Sequence, residues 1–151
     1  MTSEDAFGRE VNGSGLLLMI TAISASLLPF QDVDPDQSFP TSLFVSLFGE
    51  DEDWLVRGGE VGGALLRELR LTGSVNTERA VRETVRWFIL HHPGASDVRV
   101  ERADYRGAEV VMRLEYPPKF LQGLLQRVAW GTRGKEVVQS RDDPYRFTIR
   151  F

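Results

Sequence analysis

The two histidines of the chain, His91 and His92, are neighbours, and they are the first candidates for metal binding or proton transfer. Adjacent positions on a helix point about 100° apart, so the pair lacks the i, i+4 spacing by which two helical histidines hold one metal ion. Both precede Pro93 at the end of a predicted helix, where a histidine interacts favourably with the helix dipole. We therefore expect a structural role for the pair, and a hydrolase that uses either histidine is the hypothesis we rank lowest.

Two acidic stretches have the composition of cation-binding loops but lack the full pattern. Asp32, Asp34 and Asp36 reproduce the D-x-D-x-D start of an EF-hand loop, and a second acidic run covers residues 50–53. Neither stretch has the glycine and the final glutamate that complete such a loop. We expect both to be solvated turns, and we predict no metal site.

Glycine and serine motifs also lack the context that catalysis requires. The glycine pairs at 58–59 and 62–63 match neither G-x-x-x-x-G-K-[ST] nor G-x-G-x-x-G, and we interpret them as a flexible connection into a helix. Ser14 lies in GSG rather than G-x-S-x-G, and the sequence indicates no triad partner for it. The absence of cysteine excludes thiolate chemistry. We therefore expect a protein that is not an enzyme and that needs no cofactor.

Length and composition indicate a single globular domain. The chain has 151 residues, of which 42% are hydrophobic and 26% charged. Its net charge of −4 argues against nucleic-acid binding by bulk electrostatics. The apolar run from Leu16 contains Thr21 and Ser24 and is too short to span a bilayer, and the acidic start MTSEDAFGRE does not resemble a signal peptide. We expect a cytoplasmic protein that binds neither nucleic acid nor membrane.

Hydrophobic periodicity of 3.6 residues predicts four helices. The clearest covers residues 77–91, and others are predicted near 41–48, 62–71 and 118–130. The apolar stripe of the clearest helix consists of Val81, Val85, Phe88 and Ile89. The inward positions of the helix at 118–130 are predicted to be Phe120, Leu121, Leu124, Leu125 and Val128.

Alternating apolar and polar residues predict three strands, at 98–103, 109–116 and 145–151, with a further brief strand at 136–139. The expected fold is α+β, a small and mostly antiparallel sheet with two or more helices packed on it. We predict that residues 1–40 form an N-terminal arm and loop, and that the α+β domain covers 41–151.

The terminal stretch PYRFTIRF places Tyr145, Phe147, Ile149 and Phe151 on one face of a strand. Two interpretations remain open at this point. The strand either presents an open edge that pairs with another chain, or it is an ordinary edge or central strand packed on the protein's own core.

Four segments resemble the small wedge proteins of contractile-tailed, Mu-like phage baseplates, including the type that initiates the sheath. Residues 38–53 look like that family's TAVLISLFTDRR segment. Residues 62–89 are similar to its leucine-rich turn and amphipathic helix, 96–116 to its strand pair, and 145–151 to its closing strand. The matches in the first segment are Thr41, Leu43, Val45, Ser46, Leu47 and Phe48. Relative to the family pattern, residues 117–143 look like an insertion.

This resemblance implies a non-enzymatic structural subunit, present in several copies in the tail baseplate of a virion and in the host cytoplasm during assembly. Its implied partners are the other wedge and hub proteins of the baseplate and the tail sheath subunit, with contacts through the terminal strand and the helices at 41–48 and 118–130. The candidate partner-binding residues are Tyr145, Phe147, Ile149, Phe151, Phe44, Phe48, Phe120 and Trp130.

The alternative function is that of a small ligand-binding or regulatory α+β module. Such a module would dimerise by pairing its terminal strand with a second copy across a two-fold axis. A concave apolar site with a few convergent polar groups would distinguish it from a purely structural subunit.

Overall fold

A computed structural model describes residues 8–23, 34–42, 48–68, 77–130 and 136–150. Within them, four helices and two antiparallel sheets form an α+β fold, which confirms the predicted fold class. In chain order the elements are β1 (Glu10–Asn12), α1 (Gly13–Ile23), β2 (Ser38–Pro40), α2 (Glu52–Glu68), α3 (Thr77–His91), β3 (Val98–Ala103), β4 (Gly107–Met112), α4 (Pro118–Trp130), β5 (Glu136–Gln139) and β6 (Arg146–Arg150). None of these helices has both the length and the apolarity that a bilayer crossing requires.

The main sheet has four antiparallel strands in the order β3-β4-β6-β5, and β1 pairs with β2 in a separate two-stranded sheet. The predicted strands at 98–103 and 136–139 are confirmed at those bounds. Side chains alternate between the two faces of a strand, so Val98, Val110, Phe147 and Ile149 lie on the inner face, where they are buried against the helices.

The terminal strand β6 is an interior strand of this sheet. It pairs with β4 on one side, where Val110 is opposite Phe147, and with β5 on the other, where Val138 is opposite Thr148. The interpretation of this strand as an open edge is therefore wrong. The structure has the other interpretation that we left open, an ordinary strand packed on the protein's own core, because β5 pairs with the side of β6 that β4 leaves open.

The helix predicted at 77–91 is confirmed, and three of the four residues in its apolar stripe are buried. Ile89 is the exception, since 48% of it is exposed. The buried arc of α3 is centred on Phe88, Val81 and Thr84 and extends to Trp87, which packs edge-on against Phe88. Ile89 lies beyond that arc because each residue turns the helix by about 100°.

Helix α2 begins at Glu52, well before the start predicted near residue 62, and its glycines lie inside the helix rather than in a flexible connection. Asp51 caps its first turn, because the Trp54 N–H donates to Asp51 Oδ1 at 3.0 Å. Glu52 and Asp53 follow in that turn, where negative charge favours the helix dipole. The acidic run therefore starts a helix.

The glycines bring α2 and α4 into backbone contact. A Cβ atom at Gly59 would overlap the carbonyl oxygen of Phe120, and one at Gly123 would overlap that of Val56. A Cβ at Gly63 would lie 2.6 Å from the carbonyl oxygen of Leu124. Glycine is required at these positions because the two helices approach too closely for any side chain.

Residues 8–23, which we assigned to an N-terminal arm, are packed into the same core as the rest of the chain. The Gly8 N–H donates to Arg113 O at 2.9 Å, and the Glu115 N–H donates to Gly8 O at 3.0 Å. The buried members of this core from β1 and α1 are Val11, Leu16, Leu18, Met19, Ile20 and Ala22.

Replacing Gly59 by alanine is expected to lower the free energy of unfolding by about 1–3 kcal/mol, because the added methyl group forces the two backbones apart. Gly62→Ala is the matched control on the same helix. Its methyl group would meet only side chains, the nearest being Leu124 at 3.3 Å. We expect Gly62→Ala to be neutral or to stabilise by up to about 1 kcal/mol, since alanine has the higher helix propensity.

Urea unfolding of both variants measures the difference. Equal stabilities of Gly59→Ala and Gly62→Ala would contradict the backbone contact between α2 and α4.

Candidate interaction surface and apolar pocket

The C-terminal half of α3 carries apolar side chains that the core does not use. Leu90 is 69% exposed and Ile89 is 48% exposed. The helix ends directly after them, because Pro93 follows and Gly94 adopts a positive φ of 82°. We call Ile89 and Leu90 together the α3 patch. These two exposed aliphatic side chains are a candidate contact for another protein.

An open apolar pocket of about 420 Å³ lies beside the same helix, where α1, α2 and α3 meet. Seven described side chains line it, of which four are apolar, three are polar and none carries a fixed charge. The lining residues are Ser14, Leu17, Leu18, Thr21, Leu65, Trp87 and His91. We refer to this cavity as the α1–α3 pocket.

His91 is held in one orientation at the wall of this pocket. Its Nδ1 lies 2.9 Å from Asn12 Oδ1, and the same oxygen accepts a hydrogen bond from the Gly15 N–H at 2.9 Å. Asn12 therefore caps the first turn of α1 and positions the imidazole at the same time. Because Oδ1 can only accept, His91 Nδ1 carries the proton and Nε2 is left as an acceptor. Burial lowers the pKa of His91, which favours this neutral form.

His92 has a different environment and is part of the core. It is 1% exposed and its Nδ1–H donates to Phe88 O at 2.8 Å. Its Nε2 accepts the Tyr116 O–H at 2.5 Å. Burial lowers the pKa of His92 to about 4 and raises that of Tyr116, so both groups are neutral near pH 7. His92 thus has the structural role that we predicted for the histidine pair, whereas His91 borders a cavity.

Of the eight residues predicted to bind partners, the structure describes five side chains, and four of these lie in the interior. Phe48, Phe120, Phe147 and Ile149 are each 0% exposed, and Phe48 packs edge-on against Phe120 with ring centroids 4.7 Å apart. Folding alone accounts for these four apolar side chains. Tyr145 is half-buried against the core, and burial raises its pKa. Phe44, Phe151 and the side chain of Trp130 lie outside the described residues.

The outer face of the main sheet carries charges that pair with one another. Arg113 Nε lies 2.7 Å from Asp97 Oδ2, and each arginine in the row contacts at least one carboxylate. The contacting pairs are Arg113 with Asp97 and Asp143, Arg99 with Asp97 and Glu101, and Arg146 with Glu101. The stems of Arg99 and Arg146 flank Val111, which is fully buried on this face. The positive charges of this face are therefore balanced within the chain.

The acidic loop that resembles a calcium site forms a turn where it is described. The Asp36 N–H donates to Asp34 Oδ1 at 2.9 Å, and both residues are exposed. Asp32 lies outside the described residues. In the described part of the chain, no group of three histidine, aspartate or glutamate side chains is placed to hold a metal ion.

Comparison of the chain with protein-family models, with curated proteins and with solved structures finds no match. The candidate sites therefore depend on the geometry described above and on the resemblance noted in the sequence.

Sequence reasoning missed the α1–α3 pocket, because its walls come from three helices whose relative placement no local pattern specifies. One signal was available. Trp87 and His91 are spaced i, i+4 and so share a helix face, and their ring centroids lie 4.6 Å apart. This face adjoins the apolar stripe that we identified in α3.

The stability of the protein should fall as the pH is lowered from 6.5 to about 4 because His92 stays neutral in the folded state. In that range the unfolded chain takes up a proton at this residue and the folded chain does not. The contribution of His92 to the free energy of unfolding is complete above pH 6.5 and is lost as the pH falls toward 4. The total loss is about 3 kcal/mol.

Urea unfolding of wild type and His92→Gln across this pH range tests the prediction. Only the shapes of the two profiles are compared, so a lower absolute stability of the variant does not matter. The decline should be shallower in His92→Gln, and parallel profiles would show that His92 does not titrate as its burial requires.

Proposed function

We propose that this chain is a structural subunit of a contractile phage tail baseplate, of the wedge type that connects the baseplate core to the sheath and helps to initiate sheath assembly. The proposal rests on the resemblance in four sequence segments, three of which form α3, the β3–β4 hairpin and β6. These elements pack on one another in the α+β fold, which is compatible with a small wedge protein.

The observation that carries the proposal is the α3 patch. Ile89 and Leu90 lie on the helix that belongs to the longest matched segment, and their side chains are exposed although the fold has an extensive core. Covering these aliphatic side chains with another surface would remove apolar area from water, which is favourable. A subunit that functions inside an assembly has such a surface in its neighbours.

Strand addition from a neighbour, if it occurs, uses an edge other than β6. Within the described residues the outer strands of the main sheet are β3 and β5. β3 has an irregular register between Val100 and Arg102 and exposes charged side chains, features that discourage pairing. β5 has a regular register, and its Val138 is 40% exposed. We infer that β5 is the edge that accepts a strand of the sheath or of another wedge subunit.

The β5 edge is accessible but already partly bonded. In an antiparallel ladder successive residues direct their backbone groups to alternate sides, so those of Val137 and Gln139 face away from β6. Gln122 Nε2 donates to Val137 O at 3.2 Å. A neighbouring strand would replace this single side-chain hydrogen bond by a backbone ladder.

The alternative function, a dimeric ligand-binding module, receives mixed support. The α1–α3 pocket is a concave apolar site with a few polar groups, as that hypothesis requires. Dimerisation through the terminal strand is not available, because both sides of β6 are paired. The pocket does not depend on dimerisation.

Deleting the gene from the source genome should abolish contractile particles, and supplying it in trans should restore them with the chain present in the purified particles. The double variant Ile89→Lys/Leu90→Lys should lower particle yield at least tenfold, because it places two charges in a contact surface that must exclude water. Both positions are exposed, so the isolated variant should fold with little loss of stability.

Val61→Lys is the matched control, because Val61 is a 46% exposed apolar residue on α2. Particle yield and mass spectrometry of purified particles are the measurements. Normal contractile particles in the gene deletion would refute the baseplate function. Normal particles with the double variant, in a system that requires the gene, would reject the α3 patch alone.

A further inference from the structure

The α1–α3 pocket combines an apolar wall with a fixed hydrogen-bond acceptor, and nothing in the proposed wedge role requires either. Its apolar part is provided by Leu17, Leu18, Leu65 and Trp87. Trp87 and His91 present two rings tilted by 44° to each other at one side of the cavity. Paired rings of this kind favour an aromatic occupant, which can pack edge-on or offset against them.

Two of the three polar residues that line the pocket, His91 and Thr21, present hydrogen-bond acceptors to it. His91 Nδ1 is bonded to Asn12, which leaves Nε2 as a lone pair with no hydrogen bond to another described residue. Thr21 Oγ1 donates its proton to Leu17 O at 2.7 Å, so its remaining capacity is to accept. An occupant that satisfies these atoms must therefore bring an O–H or N–H donor.

An anionic occupant is disfavoured although the pocket borders the start of α1. The first three N–H groups of that helix are already bonded. Gly13 donates to Gln37 O at 2.9 Å, Ser14 to Pro35 O at 3.2 Å and Gly15 to Asn12 Oδ1 at 2.9 Å. Among the described residues, no lysine or arginine lines the cavity. A carboxylate or phosphate bound here would find no free amide among these three and no counter-charge among the described lining residues.

We propose that the α1–α3 pocket binds a small neutral aromatic molecule that carries one hydroxyl or N–H donor, with the ring against Trp87 and the donor bound to Nε2 of His91. The volume of about 420 Å³ lies within the range of small-molecule sites and accommodates a one-ring or two-ring compound. The inference does not depend on the proposed baseplate function, because it uses only the residues of this cavity.

The test uses two probes of the same shape, p-cresol and toluene, which differ by the hydroxyl group. Each is titrated into the full chain, and binding is followed by calorimetry and by the indole N–H resonance of Trp87. We expect one p-cresol per chain, bound about fivefold or more tightly than toluene, as one net hydrogen bond provides. In His91→Phe, which keeps a ring but removes the acceptor, the two probes should bind equally.

Two further variants distinguish binding of the probes in the pocket from binding elsewhere on the protein surface. Tyr105→Phe, at an exposed turn position, should preserve the preference for p-cresol. Leu17→Trp places a larger side chain in the cavity and leaves the His91 side chain itself unchanged, and it should weaken both probes at least tenfold. It also replaces His91→Phe as the test if that variant fails to fold.

The proposal is overturned if neither probe shifts the Trp87 resonance, or if toluene binds wild type as tightly as p-cresol. It is equally overturned if phenylacetate, the anionic probe, binds more tightly than p-cresol. None of these results would affect the particle experiment, so failure of the pocket and failure of the baseplate function remain distinguishable.

Discussion

The backbone contact between α2 and α4 is the constraint on which the rest of the structure depends. Gly59, Gly63 and Gly123 allow the two helices to approach more closely than any side chain would permit. This contact fixes α4, whose apolar face places Phe120 against Phe48 and Tyr116. On its other side α4 reaches the sheet, where Gln122 bonds to β5. The helix pair thus determines where the edge of the sheet lies.

The position of α4 and β5 explains why β6 can carry an apolar face. β6 is inserted between β4 and β5, and Phe147 and Ile149 are buried beneath the helices. Its apolar face therefore belongs to the core and provides no surface for a partner. The candidate contact sites lie elsewhere, in the α3 patch, at the β5 edge and in the α1–α3 pocket. These features involve α3 and the two elements at its flanks, α1 and α2, together with one strand.

Patterns confined to one element were readable in the sequence, and arrangements between elements were not. The periodicity of α3 and the alternation in β3 predict those elements at their observed bounds. Viewed alone, the glycines of α2 argue against a helix, because glycine has a low helix propensity. The close helix contact that requires them also involves Gly123, which lies far along the chain. Ile89 was predicted inside because it matches the stripe, and only the packing of Trp87 shows that the buried arc lies on the other side. The α3 patch and the pocket were missed for the same reason.

Amide hydrogen exchange of the isolated protein tests most directly the claim that the terminal strand belongs to the core. The amides of β6 alternate between β4 and β5, so those of Phe147, Thr148 and Ile149 all have strand partners. The account predicts that these three exchange as slowly as the buried residues of α4, because they open only with the core. Rapid exchange at these three positions, with α2 and α4 protected, would contradict it. That result would mean that the strand stays free until a partner binds.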